Sequence, residues 1–380
     1  MKALFVRDDP SLFVEGSPAQ AQMKDYAQAI GTLHVISRAP SSYHGPSVKS
    51  DGTLSLRVLR GPDFLTLSNL RKMIRAIVLK EGIEVVSVRD PFEHAQVALR
   101  AISGTSAKLH IVIETDFLSP WFIRDHISRS PQVRMSPSNR KCQKIADEVL
   151  PHAQGIRVVS KRIRDSLIEK YGNKIVTPSL IPLPISDTLP PAVQLPGHPY
   201  TFVLMAISPL EPEKRIEDIL VALARIKDTY PSVGLMIVGD GSEHKRLQHW
   251  ADVLGLGVRV HFLGDRPDAV GLLRNANAFI QSSGCEGFGE MLVEAALARI
   301  PIIASDAGLV GEVFKGYEDI LATPPGDPAN IAVHIMNLVE DTQLRARLTM
   351  KAEQTVRSYL ASVHAAPTDI AADLQRVVAG

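Results

Sequence analysis

The chain has 380 residues, of which 45% are hydrophobic and 22% charged, and a formal net charge of +1. That composition belongs to soluble globular proteins, and the length exceeds one ordinary core, so two domains are expected. No run approaches the ~20 apolar residues of a membrane span, which excludes the common membrane classes. Cys142 and Cys285 stand far apart, without CxxC spacing or a neighbouring His cluster, and read as free thiols in a reducing cytoplasm. The small net charge hides an asymmetry. Lys and Arg outnumber Asp and Glu by 26 to 18 over residues 1–199, whereas Asp and Glu lead by 23 to 16 over 200–380. A basic first half suits an anionic partner, although a solvated surface would look the same.

The opening MKALFVRDDP has a short apolar run that ends at Asp8 and Asp9, the pattern of a first strand and not of a signal peptide. Further strands are expected at Leu33–Ile36, Ile83–Val88, Leu109–Ile113 and Ile156–Val159. Between them, Leu70, Met73, Ile74, Ile77 and Val78 mark one helical face, which Gly82 ends. Short apolar runs alternating with helices indicate a parallel sheet buried on both faces. The proline-rich stretch Pro178–Pro199 suits neither a helix nor a central strand. It reads as a linker, after which the β/α rhythm restarts at TFVLMAI, VGLMIVG, VRVHFLG, AFIQ, PIIAS and DILAT. The final segment, TDIAADLQRVV, follows a break at His364–Pro367 and is expected to return to the first domain. The expected layout is a first domain over 1–185, a linker over 186–199, a second domain over 200–355 and a returning helix over 356–380.

In such sheets ligands bind beyond the carboxyl ends of the strands, so the loops there carry the functional argument. IVGDGSE (Ile237–Glu243) is a tight turn without GxGxxG or a Lys-Ser/Thr pair, and a structural role explains it. SPLEPEKRIEDIL places Lys214 and Arg215 near a helix start, where cations are disfavoured. A bound diphosphate would account for them; a surface pair balanced by Glu211, Glu213 and Glu217 is the alternative. EGFGEMLVEAA is harder to explain as packing. Gly287 and Gly289 would each cost about 1 kcal/mol inside a helix. A loop leading into a helix near Glu290 instead leaves the amides of Phe288, Gly289, Met291 and Leu292 available to phosphate or sugar oxygens. Glu286 could accept from sugar hydroxyls and Glu294 from a vicinal diol such as a ribose. The apolar neighbours Leu292, Val293, Ala295 and Ala296 argue against a solvated face at Glu294. A paired-carboxylate hydrolase would leave Lys214 and the glycine loop unexplained.

The run SSGCEGFGEMLVEAALARIPIIASDAG resembles the donor-site signature of retaining GT-B glycosyltransferases of the family 4 type, the glycosyl transferases group 1. EPEKRIEDIL, VGDGSEHKRL and VRVHFLGDRPD match in the same order. DDPSLFVEGSPAQAQ, ETDFLSP and GIRVVSKRI resemble first-domain segments more loosely. The resemblance implies an α/β protein with two Rossmann-like βαβ domains facing each other across a cleft. The second domain would bind a UDP-, GDP- or ADP-linked sugar as co-substrate. Glu294 would take the ribose, Lys214 and Arg215 the diphosphate, and Glu286 the transferred sugar with the amides of Gly287, Phe288, Gly289, Met291 and Leu292. The base would lie near Gly264 and Arg266. Gly16, Ser17, Glu114 and Asp116 would face the acceptor, a glycan or lipid-linked glycan of polysaccharide biosynthesis. The resemblance further implies retention of configuration, with Glu286 and Lys214 at the reaction centre and neither a metal nor a resident cofactor. Two positions depart from the pattern. Pro209 stands where the family usually has Arg, and Glu114 stands where it commonly has His.

A catalytically impaired GT-B protein and a GT-B sugar-nucleotide epimerase are the alternative functions. Nucleic-acid binding lacks a stacking pattern of aromatics. The expected location is the cytoplasm. Arg124, Arg129, Arg134, Arg140, Lys141 and Lys144 would supply peripheral contact with the inner face of the membrane.

Overall fold

The computed structural model describes residues 1–39, 43–60, 63–123, 137–363 and 365–380. Arg124, Arg129 and Arg134 of the basic cluster lie outside these residues. The described chain divides into two compact units, one formed by 1–118, 137–184 and 365–380 and the other by 119–123 and 185–363. Among the described residues, no helix is long and apolar enough to cross a membrane.

The first unit contains β1 (Lys2–Val6), β2 (Thr32–Ser37), β3 (Val48–Asp51), β4 (Leu54–Val58), β5 (Val85–Arg89), β6 (Lys108–Ile113), β7 (Gly155–Val158) and β8 (Ser179–Leu180). They form one sheet in the order β3-β4-β2-β1-β5-β6-β7-β8, parallel except for the antiparallel β3–β4 pair. That hairpin is absent from the sequence-based reading. It turns through Gly52 at φ +57° and buries the alternating Leu54, Leu56 and Val58 on one face. The central strands are buried on both faces, as their unbroken apolar runs require.

The C-terminal helix Pro367–Ala379 adds Ile370, Ala371, Leu374 and Val377 to the core of the first unit. It can lie close because residue 155 is a glycine. A Cβ there would stand 2.3 Å from Val377 Cγ2 and 2.8 Å from His110 Cδ2. Asp373 of the same helix lies 3.1 Å from His110 Nε2, and His110 Nδ1 lies 2.9 Å from Ser87 Oγ. All three are buried, so this Ser–His–Asp chain fastens the helix to the sheet and is not available to a substrate. Burial holds the His110 pKa below its ordinary value, against the opposing pull of Asp373.

The second unit contains β9 (Phe202–Ile207), β10 (Val233–Val238), β11 (Val260–Phe262), β12 (Ala278–Gln281), β13 (Ile302–Ser305) and β14 (Leu321–Thr323). Its all-parallel sheet runs β11-β10-β9-β12-β13-β14. Leu204, Leu235, Ile280 and Ile303 of the sheet pack with Ile219, Leu223 and Ile335 of the covering helices.

Two expected boundaries change. The helix Thr342–Ser362 runs unbroken through 356, because Leu348, Ala352 and Val356 continue one buried stripe at four-residue spacing. The second unit therefore extends to 363. Residues 119–123 also cluster with the second unit, where Trp121 packs beside Gly284 and Gly326, so the expected first domain over 1–185 is interrupted there.

Gly155→Ala forces a methyl group into the seat of Val377. It should destabilise the first unit by about 1–3 kcal/mol and expose the C-terminal helix to protease. Limited proteolysis beside a thermal melt reads both effects, and a wild-type pattern would refute the packing argument.

Candidate functional site

In the second sheet, strands are added to one side of β9 through β10 and β11, and to the other through β12, β13 and β14. The strand order reverses between β9 and β12, the place where open α/β sheets bind ligands. A cavity of about 530 Å³ opens there, with Ile207, Ser208, Val238 and Gln281 at its strand ends and Lys214, Glu286 and Met291 above them.

Local backbone geometry builds both walls. On one side Gly239 adopts φ +132°, and a Cβ there would stand 2.0 Å from the Ser208 carbonyl oxygen. Only glycine permits that approach. Its N–H then donates to the Gly264 carbonyl at 2.8 Å, joining the loops after β10 and β11. On the other side, Pro212–Lys214 form a 3-10 turn and the next helix, Ile216–Ile226, starts at Ile216. Ser282 Oγ donates to the carbonyls of Lys214 and Arg215, 2.9 Å from each, and the Gly284 N–H donates to the Glu213 carbonyl at 2.7 Å. The loop after β12 is thereby stitched to the turn that carries Lys214.

The consequence is an ion pair. Lys214 Nζ lies 2.5 Å from Glu286 Oε1, which also accepts from Ser283 Oγ at 2.7 Å. Burial alone would lower the Lys214 pKa, but the Glu286 charge and hydrogen bond outweigh it, and the pKa rises above its ordinary value. Lys214 is therefore a fixed cation.

Arg215 faces elsewhere. Its backbone is left-handed, at φ +52°, and its guanidinium binds Asp218 at 2.7 and 3.0 Å while lying 5.0 Å over the Trp121 ring. It does not line the cavity, so the expected Lys214–Arg215 tandem is separated. Neither residue is on a helix face; the change of backbone hand turns them apart.

The EGFG segment is a loop followed by the helix Glu290–Leu297, with Gly289 at φ +92° as its N-cap. Gly289 and Met291 line the cavity. Gly287 and Phe288 are buried, and the Phe288 carbonyl accepts from the Leu309 N–H at 2.9 Å. Leu292 departs from expectation: its side chain is fully buried and its N–H donates to the Gly289 carbonyl at 3.0 Å, which leaves it no free donor. Glu294 sits a turn into the helix, outside the cavity lining. Burial, with a smaller push from Glu290, raises its pKa to about 7. Arg266 lines the cavity with its guanidinium on Asp268 at 2.8 and 2.7 Å, whereas Gly264 serves the backbone junction.

Within the first unit, Glu114 follows β6 directly and lies between two arginines. Arg89 Nε lies 2.5 Å from Glu114 Oε2, and Arg7 Nη1 lies 3.6 Å from Oε1. Asp90, at φ +56°, accepts from the N–H groups of Glu114 and Thr115. Asp116 is buried. Gly16 takes φ +74°, and Ser17 caps the following helix, accepting from the Gln20 N–H and donating to the Ser11 carbonyl.

Several cavity residues were not assigned in the sequence reading, Gln281 and Ser208 among them. Both line the cavity, and each also holds a buried polar atom, Nε2 and Oγ, without a hydrogen-bond partner among the described residues. The available signal was a polar residue closing the otherwise apolar run AFIQ.

The family model for glycosyl transferases group 1 matches residues 196–355. Those residues form a group 1 glycosyltransferase domain. Lipopolysaccharide core biosynthesis glycosyltransferase LpsD of Rhizobium meliloti (strain 1021) is 32% identical over 157 residues, 41% of this chain and 45% of that protein. The chain spans about half the length of the curated relatives it matches. Sucrose-phosphate synthase (tll1590) from Thermosynechococcus elongatus superposes with a TM-score of 0.79 at 17% identity, covering 99% of this chain and 98% of that one. Anabaena Alr3699/HepE, solved in complex with UDP-glucose, gives 0.73 at 21% identity with 99% of both chains covered. These likenesses show the fold: two Rossmann-like parallel sheets of the GT-B type.

Glu294 gives the group 1 domain a pH signature. Its carboxyl keeps a proton to about pH 7 in the native state, against an ordinary value of 4.5. The native state therefore binds more protons than the unfolded one across that window, and stability falls as pH rises through it. Glu294→Gln should match wild type near pH 5 and exceed it at pH 8 by on the order of 2–3 kcal/mol. Denaturant melts at the two pH values test this, and equal differences at both would refute it.

Proposed function

We propose that the protein is a glycosyltransferase that moves a sugar from a nucleotide-sugar donor to a glycan or lipid-linked acceptor. The observation that carries this reading is the Lys214–Glu286 pair, fixed beside the amino end of the helix Glu290–Leu297 where the strand order reverses. A cavity of about 530 Å³ is of ordinary size for a small ligand. The group 1 match, and the UDP-glucose held by HepE at the same fold, support a nucleotide sugar as that ligand.

Each group then has chemical work to do. A diphosphate entering beside Lys214 takes over its ammonium, which frees Glu286 to accept from hydroxyls of the sugar. The helix amino end, opened by Gly289, presents N–H groups to the same anion. Glu294 accepts from the ribose diol, and Arg266 lies toward the base. Charge that develops on the departing diphosphate meets a fixed cation and fixed dipoles. This supports transfer without a bound metal, and retention of configuration belongs to the same reading. The acceptor falls to the first unit, to Gly16, Ser17, Glu114 and Asp116, with an anionic or membrane-associated acceptor suited to the excess of cations in residues 1–199.

A thermal-shift panel with UDP, GDP, ADP and their sugar conjugates tests the donor. Ligand at about 100 times its Kd should add roughly 2.7 kcal/mol, a rise of a few degrees. One nucleotide class should give that shift, and Glu294→Ala should lose it. No shift with any nucleotide would sink the reading. Once the donor is known, transfer should survive EDTA and fall at least ~100-fold in Lys214→Ala. Binding without transfer to any acceptor would favour a non-catalytic protein instead.

A further inference from the structure

We propose that Trp121 is a positioning residue for the Lys214–Glu286 pair, so that residues 119–123, which interrupt the first unit's chain, complete the second unit's site. The inference rests on the donor reading above. It adds a residue that neither lines the cavity nor belongs to the matched stretch 196–355. The chain leaves the first unit after residue 118, and residues 119–123 cluster with the second. Pro120–Ile123 form a single helical turn there, and the Trp121 N–H donates to Ser119 Oγ at 3.2 Å. So short a helix is not stable alone, and its place is set by what its side chains touch.

Trp121 touches the joint between the two loops that hold the ion pair. A Cβ on Gly284 would stand 3.2 Å from Trp121 Cβ, 3.4 Å from Trp121 Cε3 and 3.2 Å from Arg215 Cδ. A Cβ on Gly326 would stand 2.9 Å from Trp121 Cη2 and 3.3 Å from Arg215 Nη2. The indole therefore spans from the loop after β12 to the loop after β14, in a slot that two glycines leave open, with the Arg215 side chain along it. The guanidinium carbon lies 5.0 Å from the ring centre, within cation–π reach, and Asp218 binds the same guanidinium at 2.7 and 3.0 Å. An aromatic face and a carboxylate thus restrain a residue whose backbone is left-handed at φ +52°, a conformation costly to a bulky side chain.

That restraint passes to the cavity by short steps. Arg215 follows Lys214 directly, and the Ser282 hydroxyl donates to the carbonyls of both. Gly284, against which the indole lies, donates its N–H to the Glu213 carbonyl. Trp121 therefore buttresses the turn that carries Lys214 and the loop that carries Glu286 at the point where they are joined. Without the indole, Arg215 keeps only Asp218, the left-handed turn can relax, and the 2.5 Å contact between Lys214 and Glu286 loses its fixed geometry.

Isothermal titration with UDP, GDP and ADP should be run on wild type, Trp121→Ala, Trp121→Phe, Arg215→Met and the double variant Trp121→Ala/Arg215→Met. Wild type should bind one of the three. Trp121→Ala and Arg215→Met should each weaken that binding roughly tenfold, and the double variant should lose no more than either, because both remove one interaction. Trp121→Phe keeps an aromatic face over Arg215 and should recover most of the affinity. Losses that multiply in the double variant would overturn the positioning role and leave the donor reading standing. So would wild-type affinity in Trp121→Ala, or a Phe variant no better than Ala. Trp121→Leu, which keeps apolar contact without a ring, stands in if Trp121→Ala does not fold. Melting temperatures of the same proteins without nucleotide test the stack separately, and single losses that add in full would overturn it. A wild type that binds none of the three would bring down the donor reading, and the positioning role with it.

Discussion

The contact between Lys214 and Glu286 sets the charge at the second unit's cavity, and the loops around it are tied together so as to hold it. A cation and a carboxylate that leave water lose hydration, and their attraction compensates only when the geometry is held. Here the holding is done by uncharged groups. Ser282 ties the loop after β12 to the carbonyls of residues 214 and 215, the Gly284 amide ties it to Glu213, and Ser283 occupies the same Glu286 oxygen as Lys214. The pair is thus preorganised by a backbone zipper, and its partners cannot drift apart when the cavity is open to water.

The ends of the strands in each unit repeat this solution with different residues. In the first unit the order reverses between β1 and β5, and Arg7, Arg89 and Glu114 form their ion pairs at those strand ends. In the second unit it reverses between β9 and β12, and Lys214 and Glu286 stand above the crevice. A reversal leaves two loops diverging to opposite faces of the sheet, so no crossing connection covers the strand ends between them. Charged side chains can sit there, part-buried, because the backbone leaves room.

Much of the layout was legible in the sequence because the strands of a doubly covered sheet must be apolar throughout. Runs such as FVLMAI and VGLMIV cannot be mistaken for surface segments. The β3–β4 hairpin was missed because it lies at a sheet edge, where only Leu54, Leu56 and Val58 face the core and the Asp51-Gly52 turn is the stronger sign. The end of the second unit was misjudged because a continuing helix face carries no boundary mark in sequence. In the site, the Gly-Phe-Gly loop ahead of a helix was readable because two glycines are costly inside one. Arg215 was not, since adjacency in sequence says nothing about a left-handed residue that sends its side chain to Asp218 and Trp121. Leu292 was over-read for a related reason. Amides early in a helix are free in general, but this one is consumed by the Gly289 carbonyl.

Several features that break local rules in the second unit lie at or near this cavity. Glu294 keeps its proton to about pH 7 through burial. Gln281 and Ser208 hold unpartnered polar atoms, Gly239 brings two backbones together at φ +132°, and Arg215 is strained at φ +52°. Each departure costs free energy in the unliganded chain, and none improves the packing of the core formed by Leu204, Leu235 and Ile280. Such departures are not confined to the cavity: His261 of β11 and His334 also hold buried nitrogens without a partner among the described residues, and Arg299 and Tyr317 are left-handed at φ +60° and +65°.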